Sequence, residues 1–183
     1  MDVIDALERA WEQGAPLVAD LTDEERAATT PCAGWDVEAL LDHTVVECGM
    51  FTRVNRGEPA HLDGETLDRA DIAGAWASAA AANVASWRTS GLEGDRTYPF
   101  GTFPADASAV INLGEVVLHA WDLAQATGRP FELDPGLVTL VHDFYGSMDL
   151  SPYRSHEVFG AEVAVAADAP ELDRLVGLLG RTP

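Results

Sequence analysis

The sequence predicts an all-α protein, an up-down-up-down four-helix bundle with a short β-like excursion and a small C-terminal appendage. Two observations predict it: long segments repeat apolar residues near a 3.6-residue period, and Gly or Pro residues close those segments. A chain of 183 residues, 47% of them apolar, can bury one substantial core. We expect the bundle over residues 1–149 and an extension packed on it over residues 150–183.

The chain is strongly acidic, with 31 Asp and Glu residues against 11 basic residues, all of them Arg, for a net charge of −20. Such a surface repels phosphate backbones and anionic headgroups, so we expect neither nucleic acid nor membranes as partners. No segment reaches the ~20 apolar residues of a spanning helix, and the acidic start at Met1–Asp5 is unlike a signal peptide. These features predict a cytoplasmic protein whose two cysteines remain thiols.

The first two helices are separated by a polar stretch and a loop. Apolar periodicity predicts a helix from Asp2 to about Ala19. Residues 22–30 are acidic and polar, and the Pro and Gly of residues 31–35 exclude a regular element. Asp36 is then a suitable N-cap for a second helix, predicted over 37–55.

The middle of the chain combines two helices with the β-like excursion. A third helix is predicted from Thr66 to Thr89, ended by Gly91. The aromatic segment 92–105 is typical of a short hairpin or an ordered loop. A fourth helix follows from Ser108 to Thr127, with Gly128 as its stop signal.

The last part of the chain contains shorter elements. Asp134 as the cap and Pro135 in the first turn predict a fifth helix to about Met148. Residues 149–157 have the composition of a mobile stretch, and residues 162–166 alternate with period 2. A closing helix is predicted over 170–179.

The fourth helix places polar side chains on one stripe. At 100° per residue Glu115, His119 and Asp122 fall within an arc of about 60°, opposite a continuously apolar face. A Glu and a His one turn apart can share a divalent ion. The alternative is that this stripe is the solvent face of an amphipathic helix, and that Asp122 makes only a structural contact near the helix end.

The second helix offers a complementary ligand. His43 lies on the flank of its apolar face, with Glu47 one turn further on. Facing helices of a bundle can contribute ligands to one ion, and two imidazoles with one carboxylate suit Zn²⁺ or another late divalent metal. Glu47 is the candidate for a fourth ligand. A solvated or core histidine is the alternative for His43.

The remaining cysteines, histidines and arginines are weaker indicators of a functional site. Cys48 is expected in the core, and Cys32 is either a reactive loop thiol or a small buried apolar residue. Three further histidines are expected to be solvated or, for the helical one, to have at most a supporting role: His61, His156 and His142. Three arginines either receive an anionic ligand or pair with carboxylates: Arg53, Arg56 and Arg129.

Two motifs resemble a known family. The segment 30–43, which begins Thr-Pro-Cys-Ala-Gly-Trp and ends in His43, is similar to the opening motif of the mycothiol-dependent maleylpyruvate isomerase N-terminal family. The segment 114–128, with Glu115, His119 and Asp122, is similar to its second motif. The end of the chain, from Phe159 to Arg181, resembles short actinobacterial members, so the resemblance covers nearly the whole sequence.

The resemblance implies a fold and a chemistry. This family belongs to the DinB-like metal-binding four-helix bundles, in which a divalent metal, usually zinc, is held by residues that correspond to His43, Glu115 and His119. A thiolate of mycothiol adds to a cis double bond, rotation follows, and elimination gives the trans isomer. The resemblance predicts zinc and mycothiol as cofactor and co-substrate, and we assign Asp122 the task of orienting a ligand imidazole or a water.

The resemblance leaves the substrate open. The full isomerases continue into a separate C-terminal domain that contacts the substrate, whereas this sequence stops at Pro183. We expect a metal-dependent transferase or isomerase for a small electrophile, with a homodimer as a possible assembly. The alternatives are a metal-dependent hydrolase on the same site and a non-catalytic binding bundle with a structural metal.

Overall fold

A computed structural model describes residues 1–60, 67–155 and 158–183. Over those ranges the chain forms a helical protein with one two-stranded hairpin, and its elements are α1 (Val3–Val18), α2 (Asp23–Arg26), α3 (Val37–Asn55), α4 (Ile72–Ser90), β1 (Asp95–Tyr98), β2 (Gly101–Pro104), α5 (Ala105–Thr127), α6 (Pro135–Gly146), α7 (Ser151–Ser155) and α8 (Glu171–Leu178). The all-α fold with a short β excursion is confirmed. No helix within the described ranges is both long and apolar enough to span a bilayer.

Local sequence signals define the ends of the first long helices. The Asp2 side chain accepts hydrogen bonds from the backbone amides of Ile4 and Asp5, and it caps α1. Asp36 caps α3 in the same way, accepting from the amide of Ala39 at 2.8 Å. Both helices begin within one residue of the predicted start, because a single capping side chain fixes each start.

Three elements differ from the prediction. The polar stretch contains the short helix α2, whose N-cap Thr22 and Glu25 form a reciprocal capping box that the sequence already displays. The start predicted at Thr66 lies outside the described residues, and α4 begins only at Ile72, where the Asp71 side chain caps it. Helix α5 begins three residues before the predicted Ser108, because β2 leads directly into its first turn.

The hairpin predicted in segment 92–105 is confirmed. Its strands pair antiparallel, with Asp95 opposite Pro104 and Tyr98 opposite Gly101. The turn brings Gly101 to a φ of 147°, a backbone conformation that L side chains rarely adopt. The buried Tyr98 ring lies 4.9 Å from the ring of Phe51, and this contact attaches the hairpin to α3.

The chain divides into two compact units, Met1–Glu132 and Leu133–Pro183. In the second unit α6 packs on α8, so α6 is part of that unit although the sequence suggested a change at 149/150. The stretch expected to be mobile contains α7. The period-2 run at 162–166 forms no strand in the described part of the chain; its Val163 amide donates instead to the carbonyl of Gly177 beside α8.

The first unit is the four-helix bundle, formed by α1, α3, α4 and α5. Helices α4 and α5 each pack against both α1 and α3. Apolar residues are buried on all four helices, and most of α5 is buried around its circumference. Helix α5 therefore runs through the interior of the first unit, and polar groups on it are brought into the core.

Helix directions depart from the expected strict alternation, because α3 and α4 run parallel. Near the start of α3, Asp42 accepts from Arg69, which lies just before α4, with Nη2 and Oδ2 2.7 Å apart. At the other end, Asn55 donates to Ser86 across 3.0 Å. The connection of residues 56–71 permits this, since at about 3.3 Å per extended residue it can return along the ~28 Å of α3.

The other pairs complete an up-down-down-up order. Helix α1 is antiparallel to α4, because Glu8 near its start meets Arg88 near the end of α4. Helix α3 is antiparallel to α5, because His43 faces Glu115 whereas the later Cys48 meets the earlier Asn112. This antiparallel α3–α5 pair brings the two motif helices together.

Two Trp–Asn pairs cross-link the core. The indole of Trp11 donates to Asn83 Oδ1 at 3.2 Å, and the Asn83 amide donates to the carbonyl of Cys48. The indole of Trp87 donates to Asn112 Oδ1 at 2.8 Å, and the Asn112 amide donates to Cys48 Sγ. Because all these groups are buried, each hydrogen bond satisfies a donor that would otherwise carry a desolvation penalty.

We predict that Asn112→Ala lowers the free energy of unfolding by about 1–3 kcal/mol, because the buried Trp87 indole loses its acceptor. Urea titration of the metal-free protein measures the change. Gln125→Ala, an exposed position on the same helix, is the control and should stay within about 0.5 kcal/mol of the parent. Equal effects of the two substitutions would contradict the role assigned to Asn112.

Candidate metal centre

Helices α3 and α5 supply the side chains of the candidate site. His43 lies in the second turn of α3, and Glu115 and His119 lie one turn apart in the middle of α5. Side chains at i and i+4 share one helical face, so the carboxylate and imidazole of α5 point the same way. The antiparallel packing of α3 on α5 then presents His43 to both of them.

The three side chains converge on one atom. His43 Nε2 lies 3.4 Å from Glu115 Oε2, and His119 Nε2 lies 3.2 Å from the same oxygen. The imidazole rings have their centroids 5.0 Å apart and their planes perpendicular. The structure thus brings the three predicted ligands together; that they bind a metal remains a prediction.

Asp122 stands behind His119. Its Oδ2 lies 3.1 Å from His119 Nδ1, the ring nitrogen that does not face Glu115. Asp122 is fully buried and His119 nearly so, which rules out the interpretation of this stripe as a solvent face. A buried carboxylate on Nδ1 fixes the orientation of an imidazole and leaves Nε2 for a ligand.

Glu47 occupies the corresponding position behind His43. Its Oε1 lies 4.0 Å from His43 Nδ1, whereas Nε2 of that ring faces Glu115. The carboxylate therefore faces the opposite edge of the imidazole from the converging donors. This arrangement favours a supporting contact to His43 over the fourth-ligand role suggested for Glu47.

Trp35 covers the two imidazoles from the loop before α3. Its ring centroid lies 4.5 Å from that of His43 and 6.2 Å from that of His119. Trp35 belongs to the first motif, but the motif alone did not place it at the site. A tryptophan directly before an N-cap aspartate was the available signal, because the helix start fixes where the preceding residue lies.

Burial and hydrogen bonding shift the pKa values of Glu115 and His119 in opposite directions. Burial raises the pKa of Glu115, but hydrogen bonds with His119 and His43 outweigh it and hold that pKa below its ordinary value. Burial lowers the pKa of His119, but hydrogen bonds with Asp122, Cys32 and Glu115 hold it well above the ordinary value. Without a metal the pair is therefore a carboxylate and an imidazolium, and a cation must displace a proton to bind.

The donor set fits a late divalent cation. Two imidazole nitrogens and one carboxylate oxygen are the ligands of many catalytic zinc sites, which keep further positions open. The side chains of His43 and Glu115 are 27% and 22% exposed, so the centre can be reached from solvent, while His119 is held inside. The candidate site therefore has a buried side, where Asp122 holds His119, and a solvent-accessible side formed by His43 and Glu115.

The two cysteines have different environments. Cys48 is buried in the core as expected, and burial raises its pKa well above the ordinary value. Cys32 is half-buried, and its thiol donates to Asp122 Oδ2 across 3.2 Å. The interpretation of Cys32 as a small buried apolar residue is therefore wrong, because its sulfur takes part in a polar contact.

Other candidate residues have partners of their own. His142 pairs with Glu171, Nδ1 to Oε1 3.3 Å, and Asp143 lies beside them. This partly exposed group links α6 to α8 within the second unit. Arg129 pairs with Glu25 across 2.8 Å, as the carboxylate-pairing alternative predicted. His61 and His156 lie outside the described residues.

Comparisons with known proteins agree with these features. The family model described as the mycothiol maleylpyruvate isomerase N-terminal domain matches residues 7–124. Two uncharacterized proteins from two strains of Mycobacterium tuberculosis are each 28% identical over 186 aligned residues, covering all of this chain and 99% of the relative.

Solved structures show the same fold. The crystal structure of the mycothiol-dependent maleylpyruvate isomerase superposes with a TM-score of 0.65 at 14% identity, covering 84% of this chain and 70% of that one. A variant of that enzyme with one histidine replaced by alanine gives a TM-score of 0.66 with the same coverage. The DinB-like four-helix bundle predicted from the motifs is thereby confirmed.

We predict that the metal-free protein loses stability as the pH rises above 6.5, with a slope of up to about 1.4 kcal/mol per pH unit. The raised pKa means that folded His119 retains a proton that the unfolded chain releases. The lowered pKa of Glu115 has the opposite effect, and stability is lost as the pH falls below 4.5.

Urea titrations of the parent and of His119→Gln between pH 5 and 9 measure this dependence. The expected result is a free-energy difference between the two proteins that shrinks as the pH rises. Parallel profiles over the whole range would contradict the proton assignment at His119.

Proposed function

We propose a metal-assisted reaction between a low-molecular-weight thiol and a small electrophile for this chain, which belongs to the mycothiol maleylpyruvate isomerase N-terminal domain family. The reaction is of isomerase or transferase type. The proposal rests on the geometry of the candidate metal centre, and the family and the fold supply the choice of thiol.

One observation carries the proposal. Imidazole Nε2 atoms from two helices, those of His43 and His119, face the same oxygen of Glu115. Each ring also has a carboxylate at its other nitrogen, Asp122 at 3.1 Å and Glu47 at 4.0 Å. A carboxylate at the other ring nitrogen of a ligand imidazole is the usual supporting contact in a metal site.

Different residues would bind the cation, orient a ligand and shield the site. His43, Glu115 and His119 would hold a divalent cation, with zinc as the expected metal. When bound, the cation lowers the pKa of a coordinating thiol and so supplies a thiolate at neutral pH. Asp122 accepts a hydrogen bond from His119 Nδ1 and so keeps Nε2 available as a ligand. The Trp35 ring limits the access of water to the two imidazoles.

Thiol use separates the two reaction types. An isomerase adds the thiolate to a conjugated cis double bond and eliminates it after rotation about the single bond, so the thiol is returned unchanged. A transferase forms a lasting carbon–sulfur bond and consumes one thiol per turnover. Three protein donors would leave a bound cation able to take further ligands, which suits either reaction, since both require only that thiol and electrophile meet at one centre.

We predict that the protein binds one equivalent of Zn²⁺ or Co²⁺ and that His43→Ala and Glu115→Gln each weaken binding by more than about 100-fold. Removing a direct ligand should cost more than the 10–100-fold typical of supporting residues. Competition with a chromogenic chelator measures affinity, and metal analysis measures stoichiometry.

His142→Ala is the matched histidine control for this experiment and should retain the parent's affinity and stoichiometry, because His142 is not one of the three proposed ligands and pairs with Glu171 instead. Binding of less than about half an equivalent, unchanged by His43→Ala, would overturn the proposed metal centre.

We predict that the metal-loaded protein converts a small electrophile at least tenfold faster with mycothiol than without it. A panel of cis-configured keto acids, maleylpyruvate among them, and simple alkylating electrophiles should be followed by product formation and by thiol titration. The metal-free protein and Glu115→Gln are the controls. Equal turnover without thiol would indicate a hydrolase, and no turnover with any member, despite a bound metal, would indicate a non-catalytic binding protein.

A further inference from the structure

We infer that the Cys32 thiol is a positioning residue for the candidate metal centre, acting on His119 through Asp122. The inference rests on the proposed metal-binding function and concerns a part of the site that the ligand set itself does not include. Asp122 Oδ2 accepts a hydrogen bond from Cys32 Sγ at 3.2 Å and another from His119 Nδ1 at 3.1 Å.

The two contacts share one carboxylate oxygen. Asp122 is fully buried, so the orientation of its carboxylate depends on the protein donors around it. A donor from outside α5 fixes that orientation independently of the α5 backbone. Cys32 is such a donor, and by holding Oδ2 against Nδ1 it keeps the opposite nitrogen of His119 directed at Glu115.

The loop that carries Cys32 is braced for this task. The Cys32 amide donates to Thr30 Oγ1 at 3.1 Å, and the Trp35 amide donates to the Cys32 carbonyl at the same distance. The Thr30 amide closes the turn by donating to the Trp35 carbonyl, also at 3.1 Å. Backbone bonds on both sides therefore fix the position from which the thiol reaches Asp122.

The same loop also contacts the other imidazole. Trp35 packs against His43 with ring centroids 4.5 Å apart, while Cys32 acts on the far side of His119. One braced turn thus supports a histidine from α3 and a histidine from α5. This gives a physical reason for the Cys and Trp of this turn beyond the capping of α3.

A thiol suits the position better than a stronger donor. The S–H group is a weak hydrogen-bond donor, so it orients Asp122 while leaving most of the carboxylate's negative charge to the imidazole. An ionised donor would neutralise Asp122 and weaken its hold on the His119 proton. The expected signature of Cys32 is therefore a change in the order of the site.

Cys32→Val tests the inference, because valine keeps the approximate volume of cysteine and removes the donor. We expect Cys32→Val to weaken Co²⁺ affinity about tenfold, the lower end of the range for supporting residues, and to alter the visible absorption bands of bound Co²⁺. Cys32→Ser retains a donor and should restore affinity to within about threefold of the parent. Ala33→Val, which introduces the same side chain at the exposed neighbouring position of the same turn, is the control and should leave affinity and spectrum unchanged.

A measurement without metal separates this inference from the proposed function. In the metal-free protein the Nδ1 proton of His119 should exchange faster with solvent in Cys32→Val than in the parent or in Cys32→Ser, as followed by proton NMR.

If the parent binds no metal, the proposed function fails and the exchange rates still decide the role of Cys32. Equal exchange rates in parent and Cys32→Val, or a Co²⁺ affinity and spectrum identical to the parent's, would overturn the inference. Should Cys32→Val fail to fold, Cys32→Ala against Cys32→Ser provides the same comparison.

Discussion

A single carboxylate oxygen, Glu115 Oε2, sits between imidazole nitrogens from two helices, and the rest of the first unit is arranged around this contact. Burying a carboxylate is costly unless positive charge or strong donors surround it. His43 and His119 provide those donors, and a divalent cation would provide the charge more completely. In the metal-free protein the raised pKa of His119 makes an imidazolium available to compensate the carboxylate, and in the proposed metal-bound state the cation would take over that role.

The core and the centre share the α3–α5 interface. Asn112 lies one turn before Glu115 on α5 and donates to Cys48, which lies one turn after Thr44 in the buried side of α3. The Trp–Asn hydrogen bonds that cross-link the bundle therefore also set the register of the two helices that carry the histidines. Because a shift of one turn would separate His43 from Glu115, stability and site geometry are coupled here.

The electrostatics of the whole chain favour cations over anions. A net charge of −20 produces a field that draws divalent cations toward the protein and repels anionic small molecules. The candidate centre shares this acidity, because the carboxylates of Glu115, Asp122 and Glu47 surround its two imidazoles. In the proposed reaction a bound cation would supply the local positive charge that lets a thiolate and an electron-poor carbon meet within an acidic surface.

Local sequence determined the helices, their caps and the residues able to bind a metal, because caps and helical periodicity act over a few neighbouring positions. Asp36 and Gly128 show this at the ends of α3 and α5. The parallel course of α4, the role of Trp35 and the contact of Cys32 with Asp122 depended on the tertiary structure. Those features arise from residues distant in sequence, such as Cys32 and Asp122, whose proximity follows from how whole helices pack and not from any local preference.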